Sequence, residues 1–185
     1  MITWCKMSCL CKEFHDFYTA GIPYIEVSRR KGGVIKIGRS FSMNNGMANN
    51  QIGFGKTPCS LIVNNGEIKI GDDVGISQSS LVAYNGKIEI GNNTILGGGV
   101  KIYTTDFHAI DYSLRQNYNS NIASMKCADV VIGKDCFIGA GAIILKGVTI
   151  GDRTIVGAGS VVSKSLSSDC IAAGNPCRII KKITS

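Results

Sequence analysis

The stretch that decides the fold is residues 131–166, which read VIGKDC FIGAGA IILKGV TIGDRT IVGAGS VVSKSL in blocks of six. The second residue of every block is aliphatic, from Ile132 to Val162, the third is mostly small, and the sixth is small or medium-sized. A period of six fits neither the helical turn of about 3.6 residues nor the simple alternation of a strand. It does fit a coil of short strands joined by sharp corners.

We therefore predict an all-β solenoid in which the second and sixth residues of each block face the axis. Coils stacked in this way hydrogen-bond at the ordinary strand spacing of about 4.8 Å. Each coil buries its apolar residues only against its neighbours. We expect the glycine that follows the aliphatic residue to supply the backbone dihedral angles of a corner.

The same pattern continues upstream. Aliphatic residues recur at intervals of six at Ile70, Ile76 and Val82, and then at Ile90, Leu96 and Ile102. Two longer intervals each contain an Asn-Gly pair, at 65–66 and 85–86, and this dipeptide suits a positive φ. We predict that residues 31–168 form the solenoid, with residues 1–30 as an N-terminal cap or extension and residues 169–185 as a C-terminal extension.

One long interruption breaks the repeat. The interval from Ile102 to Ile132 is 30 residues where six are expected, so a loop of about 104–128 leaves the solenoid and returns. Its sequence includes His108, one of the two histidines of the chain. Long loops on compact scaffolds are usually functional or disordered, and this loop is rich in aromatic and charged residues.

Composition restricts the classes of function. The chain has 185 residues, a formal net charge of +7 and eight cysteines. No nucleic-acid-binding motif is present, and a small phosphorylated ligand explains the basic C-terminal cluster as well as a polyanion does. The sequence has neither a zinc-binding pattern nor a run of roughly 20 apolar residues. The start lacks the regions of a signal peptide, so we expect a cytoplasmic protein with reduced thiols and no membrane span.

The repeat, the histidine-bearing loop and the ending IAAGNPCRIIKKI at 171–183 resemble the left-handed parallel β-helix acyltransferases of the hexapeptide-repeat family. The similarity is to maltose and galactoside O-acetyltransferases and to capsular and O-antigen sugar O-acetyltransferases. This resemblance implies left-handed winding, a homotrimer with active sites between subunits, and acetyl-CoA as the co-substrate without a metal. It implies transfer of acetyl to a hydroxyl of a sugar or glycan precursor.

The resemblance also implies roles for individual residues. His108 is the expected general base, because neutral imidazole is abundant near pH 7. Asp106 and Asp111 are candidates for acceptor binding, for loop solvation or for orienting the imidazole ring, and a backbone carbonyl could orient the ring equally well. Arg115 and Phe137 are candidates for acceptor binding, with Phe137 at the place where capsular-type members often have Trp. The expected acetyl-CoA contacts are the backbone amide of Ala140, which would stabilise the developing oxyanion, and Ala158, Ser163, Lys164, Arg178 and Lys181.

Three alternative interpretations fit the sequence less well. A serine acetyltransferase requires a longer helical N-terminal domain than residues 1–60 allow. The γ-type carbonic anhydrases share the solenoid but require three zinc-binding histidines, and this chain has two. A non-catalytic solenoid scaffold explains the repeat, but it explains neither the histidine on the loop nor the basic ending.

Overall fold

A computed structural model describes residues 7–13, 15–46 and 57–184. Sheet I contains β1 Phe17–Ala20, β4 Phe41–Asn44, β7 Gly75–Ser77, β10 Ile95–Leu96, β13 Phe137–Ile138, β16 Ile155–Val156, β18 Cys170–Ala173 and β19 Arg178–Lys182. Sheet II contains β2 Tyr24–Ser28, β5 Ser60–Asn64, β8 Ser80–Tyr84, β11 Lys101–Tyr103, β14 Ile143–Ile144 and β17 Val161–Val162. Sheet III contains β3 Val34–Ile37, β6 Glu67–Ile70, β9 Lys87–Ile90, β12 Val130–Ile132 and β15 Thr149–Ile150.

The order of the strands defines the solenoid. From β1 to β17 the chain visits sheets I, II and III in turn, so three successive strands make one coil. Strands of neighbouring coils pair in parallel, as in Ile138 with Val156 and Ile144 with Val162. The antiparallel exception is β19, which folds back on β18. The predicted all-β solenoid of hexapeptide repeats is thereby confirmed.

The core runs along the axis of the coils. The second residues of the six blocks in 131–166 are at most 1% exposed. The sixth residues are also buried, and they are Cys136, Ala142, Val148, Thr154, Ser160 and Leu166. Both inward positions predicted from the period are therefore confirmed. Burial raises the pKa of the Cys136 thiol, in keeping with a core residue.

The glycines after the aliphatic residues serve a purpose different from the predicted one. Gly133, Gly139, Gly151 and Gly157 do not have a positive φ. A Cβ built on Gly139 would lie 2.5 Å from the Ala158 nitrogen of the next coil. Close approach of stacked backbones, rather than corner dihedral angles, therefore requires glycine. Positive φ occurs two residues later in the same blocks, for example at Asp135 (57°) and Gly141 (71°).

The residue of β8 that faces the axis in register with the other coils also differs from the prediction. Ile102 pairs with Leu81, which is 0% exposed, and Tyr103 pairs with Val82. The inward residue in register is therefore Leu81, although the six-residue interval pointed to Val82. Gln78 adopts a φ of 46° before β8, and that corner is one residue shorter than the corresponding corners in 131–166.

Residues 17–20 and 24–28 of the N-terminal region add two strands to the solenoid. Strand β1 pairs with β4 and strand β2 pairs with β5, so residues 17–28 lie in sheets I and II. Residues 7–10 are helical, and Met7 and Cys11 are buried in the core cluster. Trp4 and Phe14, from the aromatic-rich N-terminus, lie outside the described residues.

Candidate active site

The residues expected to take part in catalysis lie on two edges of the solenoid, where the chain passes from one sheet to the next. The edge where the chain passes from sheet I to sheet II, here called edge I–II, contains Ala140 and Ala158. The edge between sheets II and III, here called edge II–III, contains the loop 104–128, because that loop connects β11 to β12. His108 and Ala140 of one chain therefore belong to different edges of the solenoid.

The loop is folded into a defined structure. An antiparallel bridge between Thr105 and Cys127 closes its base. Within it lie the short helices α1, Tyr112–Arg115, and α2, Tyr118–Ala123. Asp111 caps α1 by accepting from the Ser113 backbone N–H, and Asn117 caps α2 by accepting from the Ser120 N–H. The Ser113 hydrogen bonds lower the pKa of Asp111.

An ion pair fastens the base of the loop to the neighbouring coil. Asp106 Oδ1 lies 2.9 Å from Lys146 Nζ, and Lys146 sits on edge II–III after β14. The two side chains are 29% and 28% exposed. The other carboxylate oxygen, Asp106 Oδ2, is buried and has no hydrogen-bond partner among the described residues. Asp106 thus serves the attachment of the loop.

The backbone on both sides of His108 is held by side-chain contacts. Arg115 Nη1 donates to the carbonyl oxygens of Ala109, at 2.8 Å, and Ile110. Phe107 adopts a φ of 62°, unusual for a bulky residue, and its ring packs edge-on against Tyr103 at 5.3 Å. Arg115 therefore shapes the loop.

The partner of the His108 ring is Asn121. The Nδ2 atom of Asn121 lies 2.9 Å from His108 Nδ1, and Asn121 Oδ1 accepts from the Ala109 backbone N–H at 2.8 Å. Asn121 is buried in α2, whereas His108 is exposed. The candidates for orienting the ring were the aspartates or a backbone carbonyl, and the structure brings an amide side chain there instead. The sequence offered no signal for Asn121, because Asn117 and Asn119 precede it closely and nothing in the pattern distinguishes the three.

Edge I–II is formed mostly by small residues and includes the backbone N–H of Ala140. Within the described part of the chain, nothing accepts a hydrogen bond from the Ala140 amide, while its carbonyl accepts from Gly159. A Cβ at Gly97 would lie 2.7 Å from the Ala140 nitrogen, so glycine lets the two coils stack closely here. The same edge borders a cleft of about 400 Å³, whose lining includes Thr57, Ser60, Gln78, Ser80, Lys101 and Gly141.

The remaining predicted residues are on the surface of the C-terminal coils. Ser163 and Lys164 are exposed directly after β17, and Arg178 and Lys181 are exposed on β19. Phe137 is 48% exposed on the outer face of sheet I, where it pairs with Ile95. These residues contact neither His108 nor one another through a hydrogen bond or ion pair in the described structure.

The described residues contain neither a metal-binding cluster nor a membrane-spanning helix. Among residues 7–13, 15–46 and 57–184, no group of three or more His, Cys, Asp or Glu side chains is placed to hold a metal ion. The helices of this part of the chain are all too short or too polar to cross a bilayer.

Comparison with known proteins identifies the repeat. The family profile described as bacterial transferase hexapeptide (six repeats) matches residues 129–164. The galactoside O-acetyltransferase of Escherichia coli K12 is 36% identical over 92 residues, which are 50% of this chain and 42% of that protein. The chain spans less than half the length of the curated relatives it matches, at 42–45%.

Solved structures share the architecture over nearly the whole chain. A maltose O-acetyltransferase from Clostridium difficile 630 is 28% identical with a TM-score of 0.60, covering 97% of this chain and 73% of that one. A hexapeptide-repeat acetyltransferase from Vibrio cholerae O1 biovar eltor, solved with acetyl coenzyme A, is 24% identical with a TM-score of 0.58, covering 98% and 76%. At 24% identity, the similarity to the Vibrio cholerae structure concerns the fold alone. The chain therefore carries the hexapeptide repeat of the bacterial transferases over residues 129–164 and is similar to a maltose and a galactoside O-acetyltransferase.

Proposed function

We propose that this protein is an O-acetyltransferase that transfers acetyl from acetyl-CoA to a hydroxyl of a sugar or glycan precursor. The observation that carries the proposal is an exposed imidazole on a folded, anchored loop, combined with an edge of small residues that includes the Ala140 N–H, a backbone donor with no acceptor among the described residues. Support comes also from the names of the relatives, two of which are sugar O-acetyltransferases. The bound acetyl coenzyme A of the Vibrio cholerae structure supports the choice of co-substrate.

In the proposed reaction the acceptor oxygen bonds to the acetyl carbonyl carbon and the carbon–sulfur bond breaks. His108 takes the hydroxyl proton and passes it to the departing sulfur, so the products are the acetyl ester and the CoA thiol. The Ala140 amide donates to the carbonyl oxygen as negative charge develops there. A backbone donor of this kind is effective because it is fixed in place before the reaction begins.

The proposed active site lies between two subunits of a homotrimer. His108 belongs to edge II–III and Ala140 to edge I–II, so a site that uses both draws them from neighbouring chains. In the proposed threefold assembly, edge II–III of one subunit lies next to edge I–II of another. Left-handed winding of the coils and a cytoplasmic location are parts of the same proposal.

The exposed cations of the C-terminal coils suit the phosphates of acetyl-CoA. Lys164, Arg178 and Lys181 carry positive charge beyond β17 and on β19, and Ser163 adds a hydroxyl. Ala158 follows Ala140 along edge I–II, so the pantetheine arm lies against small side chains. The acceptor occupies the polar cleft at the same edge, with Phe137 as an apolar wall and with Asp111 and Arg115 of the neighbouring subunit's loop beside it.

Release of CoA with a panel of sugars tests this proposal. His108→Ala is expected to lower turnover by about 10² to 10⁴-fold, the usual worth of a general base. His15→Ala is the matched control and keeps wild-type turnover. Calorimetric titration with CoA alone separates the enzyme from a non-catalytic scaffold, which does not bind it. Wild-type turnover in His108→Ala would remove that residue from the mechanism, and absence of CoA binding would remove the proposed function.

A further inference from the structure

The hydrogen bonds of Asn121 determine how its amide group is oriented. Its Oδ1 and Nδ2 atoms lie 2.8 Å from the Ala109 nitrogen and 2.9 Å from His108 Nδ1. The Ala109 N–H can only donate, and Ala109 is 2% exposed, so water does not reach it as an alternative acceptor. The amide oxygen must therefore face Ala109, and the amide NH₂ group must face the imidazole.

This orientation decides where the proton of the neutral ring resides. An NH₂ group only donates, so His108 Nδ1 must present a lone pair to it. A neutral imidazole carries a single proton, which then resides on Nε2. The ring of the resting protein therefore offers a donor, and not a base, at its free nitrogen.

We infer that Asn121 is a positioning residue that holds neutral His108 with its proton on Nε2, and that proton abstraction by Nε2 requires the Asn121 amide to turn over. After this turn the amide oxygen accepts from Nδ1–H, and Nε2 gains the lone pair that takes the hydroxyl proton. The turn breaks the buried hydrogen bond to Ala109. Access to the base-competent tautomer is thus controlled by one side-chain amide.

The surroundings of the amide resist its turning. Asn117 fixes the start of α2, and Arg115 holds the Ala109 and Ile110 carbonyls, so the backbone on both sides of the hydrogen-bond chain is braced. Because Asn121 is itself buried, its amide has little access to solvent partners during the turn. The resting tautomer is therefore strongly preferred until substrate contacts change the balance.

A single-atom substitution tests the inference. The carboxylate of Asn121→Asp has two acceptor oxygens, so it keeps the Ala109 hydrogen bond and also accepts from Nδ1–H. It is expected to move the proton of neutral His108 from Nε2 to Nδ1. The matched control is Asn117→Asp, which adds the same charge to the same helix, preserves the cap and leaves the ring alone.

Nitrogen NMR of protein with ¹⁵N-labelled imidazole rings measures the tautomer directly. The chain has two histidines, so His15→Gln assigns both sets of signals. Above the pH at which the rings lose their charge, wild type and Asn117→Asp are expected to show a bare Nδ1 and a protonated Nε2 at His108. The inference is overturned if wild-type His108 carries its proton on Nδ1, or if Asn121→Asp leaves the tautomer as it was.

A kinetic measurement tests the required turn and rests on the proposed function. On the alkaline plateau, Asn121→Asp is expected to raise kcat for acetyl transfer about tenfold with KM unchanged, because the base-competent tautomer no longer costs a buried hydrogen bond. The acidic side of the pH profile of kcat is expected to move to higher pH in this variant, because the nearby carboxylate favours the imidazolium form. An unchanged or lowered kcat together with the shifted tautomer would rule out a required turn. If no variant transfers acetyl, the proposed function fails while the NMR still decides the tautomer.

Discussion

The attachment of the loop to the solenoid leads to a quantitative prediction. Lys146→Met removes the partner of Asp106, whose second oxygen already lacks one among the described residues. Exposed ion pairs contribute about 0–1 kcal/mol, whereas removing one partner of a fully buried pair costs about 3–5 kcal/mol. With side-chain exposures of 29% and 28%, this pair is between those limits. We expect a coupling free energy of about 1–2 kcal/mol between Asp106 and Lys146.

Amide hydrogen exchange at Ala109 provides the assay. This N–H is buried inside the loop, so its exchange reports opening of the loop and not unfolding of the whole solenoid. In a double-mutant cycle of Asp106→Asn and Lys146→Met, the coupling corresponds to about a 5- to 30-fold effect on the exchange rate.

A second ion pair supplies the control for that cycle. Lys69 and Glu89 lie 2.7 Å apart on sheet III with side-chain exposures of 56% and 47%. Lys69→Met and Glu89→Gln make the same changes of charge away from the loop, and they are expected to leave the Ala109 rate unchanged. Additive effects of Asp106→Asn and Lys146→Met would refute the view that this pair holds the loop in place.

Two further predictions concern the solenoid itself. Gly139→Ala places a Cβ 2.5 Å from the Ala158 nitrogen, so we expect destabilisation of about 1–3 kcal/mol in urea unfolding. Gly46→Ala is the control, because a Cβ there meets no atom of the described residues within 4 Å, and equal midpoints would contradict the close-stacking explanation. Burial raises the pKa of the Cys59 thiol from 9.0 to about 11. The unfolded chain therefore loses this proton from about pH 9, whereas the folded chain loses it only near pH 11. Below pH 9 the contribution of the buried thiol to stability is complete. Between these two pH values the free energy of unfolding falls by about 1.4 kcal/mol per pH unit. Urea melts from pH 8 to pH 11 are expected to show a shallower fall for Cys59→Ala, and identical slopes would count against this assignment.

The sequence by itself determined the architecture, because the six-residue period places the same two inward positions in every coil. Ile132 to Val162 and Cys136 to Leu166 were predictable since each coil packs only against its neighbours, so a local pattern is enough to specify burial. The departure of the loop after Ile102 was predictable for the same reason, as an interruption in a regular count.

Only the tertiary structure decided what surrounds His108. Asn121 follows the histidine by 13 residues and Lys146 follows Asp106 by 40, and neither contact has a periodic signal in the chain. The shifted phase of β8 likewise depends on the backbone angle of Gln78, which a six-residue count does not report. The period constrains residues that repeat from coil to coil. The hydrogen bonds of the loop occur only once in the chain, so no repeat in the sequence reports them.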